Sequence, residues 1–225
     1  MYKYLTFDSG HEGLRYIINK YGIKKINLPY YLCDIVRHTL AEEGCKPVFY
    51  HIDDNFLPDK DFRKDDYILY PNYWGVCADN VKELAAVYPN LITDNAHAFY
   101  EPPSGFACFN AGHKFGYKDS YAFIQDTKEH TMPETSEEDG IIRHNTFAEL
   151  HNKYKNINLL HLKFNQDMKP FVYPCLTESI KDADNLVKNL KIEGKTVFRY
   201  WGPLPKSFNE YKFYSRLVPI PVLPH

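Results

Sequence analysis

An open, mostly parallel α/β sheet flanked by helices, followed by a small α+β unit, is the fold class that the sequence predicts. Three observations predict it. Short apolar runs of strand length alternate with stretches whose apolar residues repeat at i, i+3, i+4 and i+7. Turn residues such as Gly22, Gly44 and Pro89-Asn90 separate them. An acidic, turn-rich stretch over 126–147 reads as a loop or linker, ends this alternation, and divides the chain into a larger part, 1–145, and a smaller one, 146–225.

Residues 4–7 form the first expected strand, and Asp8-Ser9-Gly10 can cap the helix that follows. Leu14, Ile17, Ile18 and Tyr21 share one face of that helix, over 10–21. A strand at 25–28, a helix at 31–43 and a strand at 46–50 make a βαβ unit. A strand at 67–70 leads into Pro71-Asn72-Tyr73-Trp74-Gly75, and a helix over 79–88 leads into a strand at 91–93. Strands at 105–109 and 121–124 complete the larger part. In the smaller one, helices are expected at 146–154 and 179–190, strands at 171–175 and 196–200, and a proline-broken edge strand or extended segment in the tail.

Chemistry concentrates at strand ends. In open α/β sheets ligands sit beyond the carboxyl ends of the strands, which is where Asp94 and His97 follow the run at 91–93. Lys114 follows the next run in a Gly-containing loop, so an acid, an imidazole and an amine are expected in one pocket. Ser9-Gly10 is either a plain cap or a helix start that holds a phosphate on its N–H groups. Tyr30 and Tyr31 either stack on a flat ligand or pack the helix entry. His51, Asp53 and Asp54 read as a solvated turn, and no spacing in the chain suggests a metal site.

Composition bounds the classes. The chain has 225 residues, 44% hydrophobic and 25% charged, as in soluble globular proteins. Its 19 Tyr and 15 Phe are an excess that suits ligand pockets and interfaces as well as core. A net charge of −2 with scattered Lys and Arg gives no nucleic-acid surface. Cys33, Cys45, Cys77, Cys108 and Cys175 are odd in number and widely spaced, which reads as free thiols. With no signal-peptide pattern and no membrane-length apolar run, a cytoplasmic protein without a membrane partner is expected.

Read together, Ser9-Gly10-His11-Glu12-Gly13-Leu14, Leu28-Pro29-Tyr30-Tyr31-Leu32-Cys33, Asn72-Tyr73-Trp74-Gly75, Asp94-Asn95-Ala96-His97 and the Lys114 loop resemble, in order, motifs of the DegT/DnrJ/StrS aminotransferases. The resemblance runs from about residue 5 to residue 125 and, more loosely, through 171–175, 194–201 and 218–224. It implies a fold-type I enzyme dependent on pyridoxal 5′-phosphate (PLP), with a PLP-binding large domain and a small C-terminal domain. Lys114 would condense with the cofactor aldehyde and carry protons, Asp94 would face the ring nitrogen, and His97 would lie near the phenolic oxygen. Ser9, Gly10, His11 and Asn110 would hold the phosphate, with Tyr31 and Asn72 completing the cofactor site. Lys118 is the rival lysine, but Asp119-Ser120 directly after it looks like the turn that follows the family's lysine.

The implied function is transfer of an amino group from a small-molecule donor to a keto acceptor, such as a keto-sugar nucleotide in surface polysaccharide or related biosynthesis, by a homodimer. His11, Glu12 and Ala111 depart from the usual pattern, and the long segment that precedes Ser-Gly in full-length members is absent, so a short or degenerate member is expected. The alternatives are a catalytically degenerate PLP-fold protein acting as a binding or partner subunit, and a hydrolytic or metal site at Asp94, His97 and His113.

Overall fold

The computed structural model describes residues 4–125, 135–164 and 167–223. Its main sheet has seven strands, β1 (Leu5–Phe7), β2 (Lys25–Pro29), β3 (Lys46–Tyr50), β4 (Ile68–Pro71), β5 (Leu91–Asp94), β6 (Ala107–Phe109) and β7 (Ser120–Ile124), in the order β1-β7-β6-β5-β4-β2-β3. The five central and outer strands β3, β2, β4, β5 and β6 are parallel. β7 is antiparallel to β6, and β1 is antiparallel to β7. Two reversals restore the direction, so β1 opens at the same edge of the sheet as the parallel set.

Burial on both faces explains why the strands read as unbroken apolar runs. On β4 and β5, Ile68, Tyr70 and Leu91 face one core, and Leu69 and Ile92 the other. The second core is covered by α1 (Gly10–Lys20) and α2 (Asp34–Glu42), through Leu14, Ile17, Ile18, Val36 and Leu40. The first is covered by α3 (Ala78–Val87) and a large aromatic layer that includes Tyr31, Tyr73, Trp74, Phe99 and Phe213.

Three elements of the smaller part differ from expectation. Helix α4 spans Glu137–Tyr154, so it runs unbroken through position 145/146, and it begins inside the acidic stretch read as a linker. The reason is local: Ser136 caps it by accepting from the Asp139 N–H, and Glu137, Glu138 and Asp139 meet the positive end of the helix dipole. The rest of that stretch, 126–134, lies outside the described residues. β8 (Val172–Leu176) and β9 (Leu217–Pro221) form a separate antiparallel pair, with α5 (Ile180–Ile192) packed against it. α6 (Tyr211–Arg216) was not expected, because a six-residue helix carries almost no periodic signal. The strand expected at 196–200 is irregular: it finds no ladder partner, and its aromatics are used elsewhere.

The C-terminal segment is fastened to the sheet through Glu210, which is fully buried. Its carboxylate lies 3.0 Å from His51 Nδ1 and accepts the Ile52 N–H at 2.8 Å. Glu210→Ala leaves that N–H without its buried acceptor, so a stability loss of about 1–3 kcal/mol is expected in urea unfolding. An unchanged midpoint would contradict the role given to this contact.

Candidate active site

Loops leaving β2, β4, β5 and β6, with the N-terminus of α1, enclose a cleft of about 300 Å³ at the carboxyl edge of the sheet. Gly10, His11, Asn72, Asp94, His97, His113, Lys114 and Trp201 are among its lining residues. The loops are tied sideways just past the last rungs. Asn72 N–H donates to the Asp94 carbonyl at 2.9 Å, and Asn95 N–H to the Phe109 carbonyl at 2.7 Å. Strand ends therefore become a rigid rim.

Asp94 closes β5, paired with Pro71 and Phe109 on either side. Its Oδ1 accepts the Ala96 N–H at 2.9 Å, and among the described residues it has no ion-pair partner. Burial raises its pKa from 3.8 to about 6, against the opposing pull of that N–H and of the Lys114 charge. His97 is stacked on Phe171 at 4.5 Å, on Trp201 at 5.2 Å and on Trp74 at 5.3 Å. Burial, and then the Lys114 charge, hold its pKa well below the ordinary value, so its imidazole is neutral.

Lys114 sits in a short 3-10 turn, Gly112–Phe115, anchored where the Ser120 hydroxyl accepts the Gly112 N–H at 3.1 Å. The side chain is half-buried, with Nζ 5.6 Å from the centre of the Phe171 ring and 5.9 Å from that of Tyr200. No described carboxylate pairs with it. Lys118, the rival, is exposed and does not line the cleft.

Gly10 lets α1 reach the rim, because a Cβ there would come within 2.5 Å of the Asn110 carbonyl oxygen. Gly10→Ala is therefore expected to push the helix N-terminus off the rim and to weaken binding of inorganic phosphate, measured by titration calorimetry. Gly75 plays a similar part behind His97: its φ is +75°, and a Cβ would meet the His97 carbonyl oxygen at 2.4 Å. Glu12 turns away from the cleft, its Oε2 accepting the Asp8 N–H at 3.2 Å.

Not every expected residue lines the cleft. Ser9 lies one position behind the lining Gly10, with Oγ 3.3 Å from His11 Nε2. Asn110 is buried, and its side-chain oxygen accepts the Tyr121 N–H at 2.8 Å, so Ala111 takes its place on the wall. Tyr31 is sunk in the aromatic core, stacked on Tyr73 at 5.9 Å and edge-on to Trp201 at 4.9 Å. Asn72 lines the cleft while its Oδ1 accepts the Cys77 N–H at 3.0 Å. Trp201 and the neighbouring Tyr200 were missed as site residues. The signal available was the aromatic pair ahead of Gly202-Pro203, which stops a strand and leaves two large rings in a loop. Among the described residues no cluster of His, Cys, Asp and Glu has the arrangement of a metal site, and no helix is long and apolar enough to cross a membrane.

A mixed sheet of this order, with helices on both faces and a cleft at its carboxyl edge, is the fold of the PLP-dependent aminotransferases of fold type I. Solved structures of DegT/DnrJ/EryC1/StrS sugar aminotransferases share it over 97% of this chain. The aminotransferase of that family from Brucella abortus superposes with a TM-score of 0.72 at 15% identity, covering 80% of its own chain. PseC of Helicobacter pylori, an aminotransferase involved in the biosynthesis of pseudoaminic acid, gives 0.66 at 14% identity over 97% of this chain and 81% of its own. NtdA of Bacillus subtilis, with the cofactor PMP bound, gives 0.71 at 12% identity over 97% and 68%. No protein-family model and no curated protein matches the sequence.

Proposed function

We propose that this protein is a PLP-dependent aminotransferase, with Lys114 as its catalytic amine. The observation that carries the reading is a buried carboxylate, Asp94, that has no ion-pair partner among the described residues and feels the Lys114 charge only at a distance, in the same cleft as that half-buried amine, itself without a carboxylate in contact. That pairing suits the two ends of a pyridoxal ring. A protonated ring nitrogen supplies the charge that Asp94 lacks, and Lys114 supplies the amine that the aldehyde requires. The start of α1, with Gly10 and His11 on the wall, offers N–H groups and a dipole end to a phosphate. The fold type and the cofactor-bound structures that share it support the same choice.

Bound there, the cofactor supplies an electron sink that makes a proton on the substrate carbon labile. The residues do the rest. Lys114 takes and returns that proton from a wall shielded by Phe171 and Tyr200. Neutral His97, fixed between aromatic rings, offers a hydrogen bond without adding charge. Asp94 keeps the electron demand high by staying ionised next to a cation. Asn72 and the other rim residues exclude water.

The acceptor that the family resemblance favours is a keto-sugar nucleotide of surface polysaccharide or related biosynthesis, used by a homodimer whose second subunit completes the site. Purified protein mixed with PLP should develop an absorbance band at the border of the visible and near-ultraviolet, and borohydride should fix the chromophore to Lys114. A normally folded protein that shows no band would favour the alternative, a partner subunit built on the same fold.

A further inference from the structure

Among the described residues that line the cleft, Trp201 is the one contributed from beyond Lys114 in the sequence. It lines the same cleft as Asp94 and Lys114, and its indole lies flat against Trp74 at 4.8 Å and 17° and against His97 at 5.2 Å and 11°. Tyr73 meets it edge-on at 5.6 Å. Trp201 is half-buried and lines the cleft, whereas Trp74 beneath it is fully buried and does not.

The backbone shows that this placement is imposed. Trp201 has a φ of +57°, a left-handed conformation that a bulky residue keeps only when its surroundings hold it there. Arg199 is the clamp. Its guanidinium donates to the carbonyls of Ser215 and, at 3.3 Å, Tyr214, and pairs with Asp184 at 2.7 Å. The space below the indole, about 300 Å³, is at the small end of the roughly 300–1,000 Å³ usual for ligand sites. Cofactor and substrate must both fit there.

We propose that Trp201 is the specificity-determining residue of this cleft, limiting the carbonyl compound that reaches Lys114 to the bulk of about one ring lying against its indole. The proposal rests on the reading of the site as a PLP aminotransferase, but its test does not require turnover. Wild-type protein, Trp201→Phe and Trp201→Ala are first mixed with PLP; absence of the band in the wild type speaks against the site reading alone. The same three proteins, free of cofactor, are then acylated in parallel with acetic anhydride and with a bulky naphthyl hydroxysuccinimide ester, and labelling at each lysine is read by peptide mass spectrometry. Exposed Lys118 is the internal reference.

In Trp201→Ala the bulky-to-small labelling ratio at Lys114 should rise on the order of tenfold, the lower end of what pocket contacts discriminate, with no change at Lys118. Trp201→Phe should fall between that and wild type. An unchanged ratio at Lys114 in a folded alanine variant overturns the proposal. If the alanine variant does not fold, the phenylalanine variant decides, and a ratio equal to wild type overturns it.

Discussion

Lys114→Ala should lose transamination by at least about 10²–10⁴-fold, the range for removing a positioned proton-transfer group, while Lys118→Ala keeps its rate. The contrast follows from position. Lys114 is held in a short turn on the cleft wall with aromatic rings beneath its amine, and Lys118 projects into solvent. Borohydride treatment in the presence of PLP should leave the Lys114 variant unlabelled. If the chromophore is still fixed to Lys114→Ala, another lysine is the cofactor's partner. Equal losses in the two variants would indicate a general charge effect, not a catalytic amine.

Asp94→Asn should make the cofactor-free protein more stable and its affinity for PLP weaker. The sign follows from burial. With a folded-state pKa of about 6, raised from 3.8, the carboxyl holds its proton more tightly in the native state, so stability is highest below the unfolded value and falls as pH rises between the two. Above about pH 6 the ionised group costs up to about 3 kcal/mol, at 1.4 kcal/mol for each pKa unit. An asparagine oxygen can still accept the Ala96 N–H, so most of that cost is removed. Urea midpoints of the two proteins should therefore coincide near pH 4 and separate by pH 7.5, with the variant higher. A variant less stable at pH 7.5 would show that Asp94 already has a counter-charge, and the case for a cationic ligand beside it would fail.

The sheet was legible because each strand is buried on both faces and bounded by turn residues; 46–50 was read to the residue, and most others within two. Where the reading failed, the deciding information was not periodic. The acidic start of α4 looked like a linker until its cap and its dipole were considered, and α6 is too short to show a pattern. In the cleft, Asp94, His97 and Lys114 were visible because strand ends mark them out. Asn110 and Tyr31 carry the same kind of local signal, yet one amide satisfies the Tyr121 backbone and one ring fills the aromatic layer. Those outcomes depend on tertiary neighbours. Trp201 is the converse case: the aromatic pair ahead of Gly202-Pro203 marks a loop but not a cleft, and its place on the wall is set by the rings of Trp74 and His97 and by the Arg199 contacts.

The pairing of β1 with β7 has a consequence for the order in which the molecule assembles. Leu5–Phe7 takes its place only against Ser120–Ile124, and α1 is carried to the rim by that pairing. A contact between the first and the last strand of the sheet in sequence closes late, because the entropy of a long loop must be overcome before the pairing can repay it. The segment that supplies Gly10 and His11 can pack early on α2 through Leu14 and Ile17, but its contacts with β6 and β7 wait until those strands are made. Hydrogen exchange pulsed during refolding should accordingly find α1 protected after the β2–β3 pair, which forms between near neighbours.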